Sequence, residues 1–145
     1  MATLDKIEAF GHENILCTHK TTLELTKVNT LTKKGNCIIG INATKACYDL
    51  SSTLKDKIVN GKKIKVTLRI DDIQDSFYGF GNKELRLLDK DDIVFRKSSY
   101  VSDRTILINC TKSSSEIDRE LIERLKVPGK KLSIIFEINE TDGNQ

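Results

Sequence analysis

Apolar and polar residues alternate most cleanly in two stretches, Ile64, Val66, Leu68, Ile70 and Leu132, Ile134, Phe136, Ile138. Each predicts a strand with one buried face. Each follows a Gly-Lys-Lys triplet (Gly61–Lys63, Gly129–Lys131), whose glycine ends a stretch of helical period. Leu50, Leu54 and Ile58 recur at i, i+4 and i+8 before the first, and Ile117, Leu121 and Leu125 before the second. Ser115-Glu116-Ile117-Asp118 reads as a capping box opening the second helix, and Pro128-Gly129 as its stop. Three shorter strands are expected before each helix. They are Lys6 to Gly11, Thr21 to Lys27 and Cys37 to Ala43, then Ser76 to Gly81, Asp91 to Lys97 and Thr105 to Thr111.

The two sets align residue by residue. Gly11–Lys27 runs parallel to Gly81–Lys97 at an offset of 70, Ile39–Lys45 to Ile106–Lys112 at 67, and Gly61–Ile70 to Gly129–Ile138 at 68. Three collinear blocks separated by small shifts point to a tandem duplication of a βββαβ unit. Units of that size bury too little surface to stand alone. The expectation is therefore a β-rich α+β fold in which repeats at about 6–70 and 76–138 pack with pseudo-twofold symmetry around one core. Sandwich- or barrel-like sheets would carry two helices. One domain should span 1–145, with Asp71 to Asp75 as the polar junction and 141–145 as a flexible tail.

Composition narrows the partners. Twenty-four basic against 21 acidic residues give a net charge of +3, too mild by itself to require nucleic acid. No apolar run reaches the length of a membrane span and no signal-peptide h-region opens the chain, so the expected setting is cytoplasmic without a membrane partner. Cys17, Cys37, Cys47 and Cys110 are scattered, with no C-x-x-C pair, and read as buried reduced thiols. No nucleophile elbow, Walker loop or dinucleotide fingerprint is present, and no cofactor is expected.

The candidate chemistry falls into two halves. His12 and His19 are the only histidines; with Glu24 they resemble a two-histidine, one-carboxylate set, but strand parity turns Glu24 away from His19. Their counterparts are Asn82 and Asp89, which fits a pair of loop histidines bonded to backbone better than a zinc site. The second half holds five of the six arginines. Arg96-Lys97-Ser98 with Arg104 combines forked guanidiniums, an ammonium and hydroxyls suited to phosphate, weighed against a structural Asp92–Arg96 ion pair. Arg119 and Arg124 alternate with Glu116, Glu120 and Glu123 as a solvated helix face. Lys62-Lys63 and Lys130-Lys131 complement helix C-termini. Phe10, Phe77, Tyr78 and Phe80 could stack bases but suit a core better.

The segment Gly11–Lys27, followed by Gly35–Ile41, resembles an archaeal family known as domain of unknown function 371, and Arg96-Lys97-Ser98 with Arg104-Thr105 fits its second signature. The resemblance runs from about Ile7 to Ile138 and implies a small β-rich archaeal protein with no activity attached. Asn82 and Asp89 depart from it where histidines are expected, which removes a symmetric pair of histidine sites. The residues favour a non-catalytic protein binding RNA or a phosphorylated small molecule through Arg96, Lys97, Ser98, Arg104 and Lys20, with His12 and His19 closing the site. The alternative is a hydrolase or transferase on a phosphorylated substrate, with His12 or His19 as general base or metal ligand. A structural subunit of a larger complex is the third reading.

Overall fold

The computed structural model describes residues 1–139, and the expected tail at 141–145 lies outside them. Eight strands and two helices follow in the order β1 (Ala2–Phe10), β2 (Thr22–Thr26), β3 (Ile38–Gly40), α1 (Ser52–Val59), β4 (Lys63–Ile70), β5 (Ile73–Phe80), β6 (Asp92–Arg96), β7 (Thr105–Leu107), α2 (Arg119–Leu125) and β8 (Lys131–Ile138). They form a long sheet ordered β1-β8-β4-β5 and a short sheet ordered β3-β2-β6-β7. Exchanging the elements of the first half for those of the second reverses each order without changing it. The fold is α+β and rich in strand, and each half contributes to both sheets.

Alternation decides which faces meet. Ile64, Val66, Leu68, Ile134 and Phe136 of the long sheet are fully buried, as are Leu23, Leu25 and Ile93 of the short one. Phe95 of β6 binds the two layers: its ring meets Phe77 edge-on at 5.2 Å and stacks with Phe136 at 6.1 Å. The buried residues of both halves form one continuous apolar cluster.

The third strand of each half is shorter than its apolar run. Ile38–Gly40 pairs with β2, but Ile41 exchanges backbone hydrogen bonds with Phe10 of the long sheet, at 2.8 and 2.9 Å. Asn42 then turns the chain at φ +52°. Ile108 and Phe80 repeat the exchange at 2.9 Å each way, and Asn109 turns at φ +50°. One run thus serves both sheets.

The helices also start later than periodicity suggests. Leu50 and Ile117 are buried as the C-caps of single 3₁₀ turns ahead of them. The capping box belongs to Ser113 and Glu116 around that 3₁₀ turn, while Asp118 caps α2 by accepting the N–H groups of Glu120 and Leu121 at 2.9 and 3.3 Å. A half-buried carboxylate ties each helix entry to the long sheet. Asp5 accepts Lys45 Nζ at 2.7 Å and Ser51 N–H at 2.8 Å; Asp75 accepts Lys112 Nζ at 2.6 Å and Asp118 N–H at 2.9 Å. The halves interlock at Gly11 and Gly81. A Cβ on Gly11 would collide with the carbonyl of Leu125 at the end of α2, and one on Gly81 with that of Ile58 in α1.

Candidate functional site

β2 and β6 pair antiparallel with Thr22 opposite Arg96, Glu24 opposite Val94 and Thr26 opposite Asp92. Leu23, Leu25, Ile93 and Phe95 point to the core, so this other row faces outward. It carries two carboxylates and a guanidinium, and the loop after β6 lays Arg104 over it.

The charges are unequally matched. Arg104 Nη1 lies 3.3 Å from Asp92 Oδ2 and 3.5 Å from Glu24 Oε1. The expected Asp92–Arg96 pair is replaced by Asp92–Arg104, because the register brings the returning loop onto Asp92. Arg96 has no ion pair among the described residues. Its Nε donates to Thr105 Oγ1 at 2.7 Å, Nη2 lies 3.4 Å from Ser102 Oγ, and the group sits 4.8 Å from the centre of the exposed Tyr100 ring. Burial and the neighbouring Arg104 lower the pKa of Arg96. Glu24, only 8% exposed, has its pKa raised by burial and then by Asp92, against the pull of Arg104. Cys37 Sγ lies 3.8 Å from Glu24 Oε1, and burial lifts that thiol to about 11. It is a structural thiol rather than a nucleophile at neutral pH.

The other residues singled out in the sequence are distributed around this row. Lys97 pairs with Glu116 at 2.7 Å, and its N–H donates to Thr21 C=O at 3.0 Å. Ser98 Oγ accepts the Tyr100 N–H at 3.3 Å. Lys20 is exposed, its carbonyl accepting Ser113 Oγ at 2.8 Å. His19 precedes Thr22, so the pairing of β2 with β6 brings its segment to Arg96. His12 goes elsewhere: it lines a cavity of about 450 Å³ with Phe10, Ile41, Pro128 and Gly129. A cavity of about 460 Å³ with Asn82, Asn60, Gly61 and Gly81 takes the corresponding place in the other half. Arg119 is exposed, as expected of that helix face, and is also anchored to backbone. It donates to the carbonyls of Cys17, Ser114 and Ile117 at 3.0, 2.7 and 2.9 Å, fixing a loop whose Cys17 sits at φ +50°.

Both histidines act as turn acceptors. His12 Nδ1 accepts the Asn14 N–H at 2.9 Å, as Asn82 Oδ1 accepts that of Glu84 at 2.8 Å. His19 Nδ1 accepts the N–H groups of Thr21 and Thr22 at 3.2 Å each, as Asp89 Oδ1 accepts those of Asp91 and Asp92 at 2.9 and 2.8 Å. Backbone donors at Nδ1 place the proton of the neutral ring on Nε2. The lone pair that a metal or a substrate proton would need is already engaged. No group of three or more His, Cys, Asp or Glu among the described residues is placed to hold a metal ion, and no described helix is long and apolar enough to cross a membrane.

The family model described as Domain of unknown function (DUF371) matches residues 7–139. An uncharacterized protein of the archaeon Methanocaldococcus jannaschii is 48% identical over 132 residues, covering 91% of this chain and 96% of that protein.

Proposed function

We propose, for a chain that belongs to the DUF371 family, that it is a non-catalytic receptor for a phosphate-bearing ligand held at Arg96. The observation that carries this reading is the contrast between the two guanidiniums. Arg104 is occupied by two carboxylates, whereas Arg96 is oriented by neutral hydroxyls and an aromatic ring, with no carboxylate in ion-pair distance among the described residues. A half-buried cation without a counterion gains most from an arriving anion, and a fixed guanidinium fork suits a phosphate oxygen pair. The exposed Tyr100 ring beside it can stack on the base of a nucleotide. The site is narrower than the sequence suggested, with Arg104, Lys97 and Ser98 shaping the surround. The engaged Nδ1 atoms of His12 and His19 count against their use as general bases. We also infer that the matching order of the two halves descends from duplication, after which their outward polar rows diverged.

Titration calorimetry with inorganic phosphate and adenosine monophosphate tests the reading. Arg96→Ala should abolish the binding heat, Arg96→Lys should retain a fraction of the affinity, and Arg104→Ala should act chiefly on stability. Wild-type affinity in Arg96→Ala would refute it.

A further inference from the structure

On the outward face of the long sheet most side chains are exposed or half-buried, with Thr67 at its centre buried. β4 turns Lys63, Lys65, Thr67 and Arg69 away from the core, β8 turns Lys131, Ser133, Ile135 and Glu137, and Lys6 and Glu8 of β1 share that side. The contacts of these side chains stay within the face: Lys131 with Glu8 at 2.6 Å, Arg69 with Gln74 at 3.3 Å, and Lys63 over the Tyr78 ring at 4.6 Å. Lys6, Lys63, Lys65 and Arg69 have no carboxylate within ion-pair distance among the described residues.

The face also accounts for the net charge of the chain. It carries five of the 24 basic residues and two of the 21 acidic ones, so the rest of the chain has 19 of each. A net charge of +3 that looks mild when averaged is gathered on one surface. Aromatic rings flank it. Tyr78 and Phe80 on β5 and Phe10 on β1 are partly exposed, whereas Phe77 between them is buried in the core.

We propose that this face is a platform for single-stranded nucleic acid. Four cations with no ion pair among the described residues, spread along adjacent strands, suit a chain of phosphates. The flanking rings offer π-faces to unpaired bases, a combination that binds single strands without a sequence code. A duplex fits poorly. Three strand spacings of about 4.8 Å make the face roughly 14 Å wide, broader than the ~12 Å major groove. Base stacking on a ring also requires an unpaired base. The platform is independent of the Arg96 site, which lies on the outer face of the other sheet.

Fluorescence anisotropy of labelled oligouridylate and oligodeoxyuridylate across a salt series tests the proposal. Each neutralised phosphate contributes about −0.7 to the slope of log K against log salt, so four contacts predict about −2.8. Lys65→Ser with Arg69→Ser should bring the slope to about −1.4 and weaken binding roughly 25-fold at ~0.1 M salt, taking 1 M as reference. Tyr78→Ala should weaken binding about tenfold with the slope unchanged. Lys65→Arg with Arg69→Lys should retain both affinity and slope. Circular dichroism melting identifies any variant that fails to fold. Binding of either strand that follows this pattern supports the platform, and a preference between the two assigns the sugar. A slope insensitive to the Lys65/Arg69 change, equal affinity for duplex RNA, or binding only to anionic lipid vesicles would overturn it.

Discussion

The turn role of the histidines can be measured directly, because the second half of the chain supplies the control residues. His19 Nδ1 satisfies two backbone N–H groups at 3.2 Å, and Asp89 Oδ1 satisfies the equivalent two at 2.9 and 2.8 Å. His19→Ala removes the acceptor and leaves both donors to water. At roughly 0.5–1.5 kcal/mol per hydrogen bond, discounted because Thr21 is exposed, the cost should be about 1–2 kcal/mol. His19→Asp restores an acceptor at shorter range and should lie within about 0.5 kcal/mol of wild type. His12→Ala, with one acceptor bond of 2.9 Å, should cost about 1 kcal/mol, and His12→Asn should recover most of it. Urea denaturation at neutral pH, with midpoints compared at constant m-value, reads all four variants. If His19→Asp is as destabilised as His19→Ala, the imidazole is doing something other than closing a turn. A site for an incoming group would then have to be reconsidered there.

Two further outcomes follow from burial. The raised pKa of Glu24 means that the folded protein binds a proton more readily than the unfolded chain, so Glu24 should weaken stability as pH rises through the interval above 4.5. Glu24→Gln cannot titrate, and its stability relative to wild type should increase across that interval, as read by urea midpoints at a series of pH values; a flat difference would contradict the assignment. Gly81→Ala drives a methyl group into the backbone of Ile58 and should cost about 2–3 kcal/mol in the same assay, whereas Gly129→Ala, with open space around its Cβ, should suffer mainly from its φ of +79°.

What the sequence revealed, and what it did not, follows the range of each interaction. Strand alternation in β4 and β8 and the spacing of Leu54, Ile58, Leu121 and Leu125 depend on local period, and the structure keeps them. Ile117 sits at helical spacing yet is buried as the C-cap of a 3₁₀ turn, because period alone cannot separate a helix from the turn that precedes it. The third apolar run reads as one strand, since nothing within it says that Ile41 leaves β2 to pair with Phe10. The ion pairs were least legible. Which carboxylates take Arg104 depends on the registers of β6 with β7 and with β2, the latter set by residues 66 to 74 positions apart. The outward face of the long sheet was visible as the polar positions of the β4 alternation. Its meaning was not, because Lys63 also suits a helix end and Tyr78 and Phe80 also suit a core.

The two outward faces show why a net charge was a poor guide to binding. On the short sheet, Arg104 is matched to Glu24 and Asp92 beneath a loop, leaving Arg96 as a single oriented cation: a geometry for one small anion. On the long sheet, Lys6, Lys63, Lys65 and Arg69 lie along adjacent strands with no ion pair among the described residues: a geometry for an extended one. Burial favours pairing, as for Glu24 with Arg104, whereas exposed charges stay salt-sensitive. The salt response therefore separates the faces. Binding at Arg96 should change with ionic strength as a single contact, and binding on the long sheet as several. A phosphate ligand whose affinity falls with the steeper slope, and survives Arg96→Ala, would assign its binding to the long sheet and remove the Arg96 site from the function of the protein.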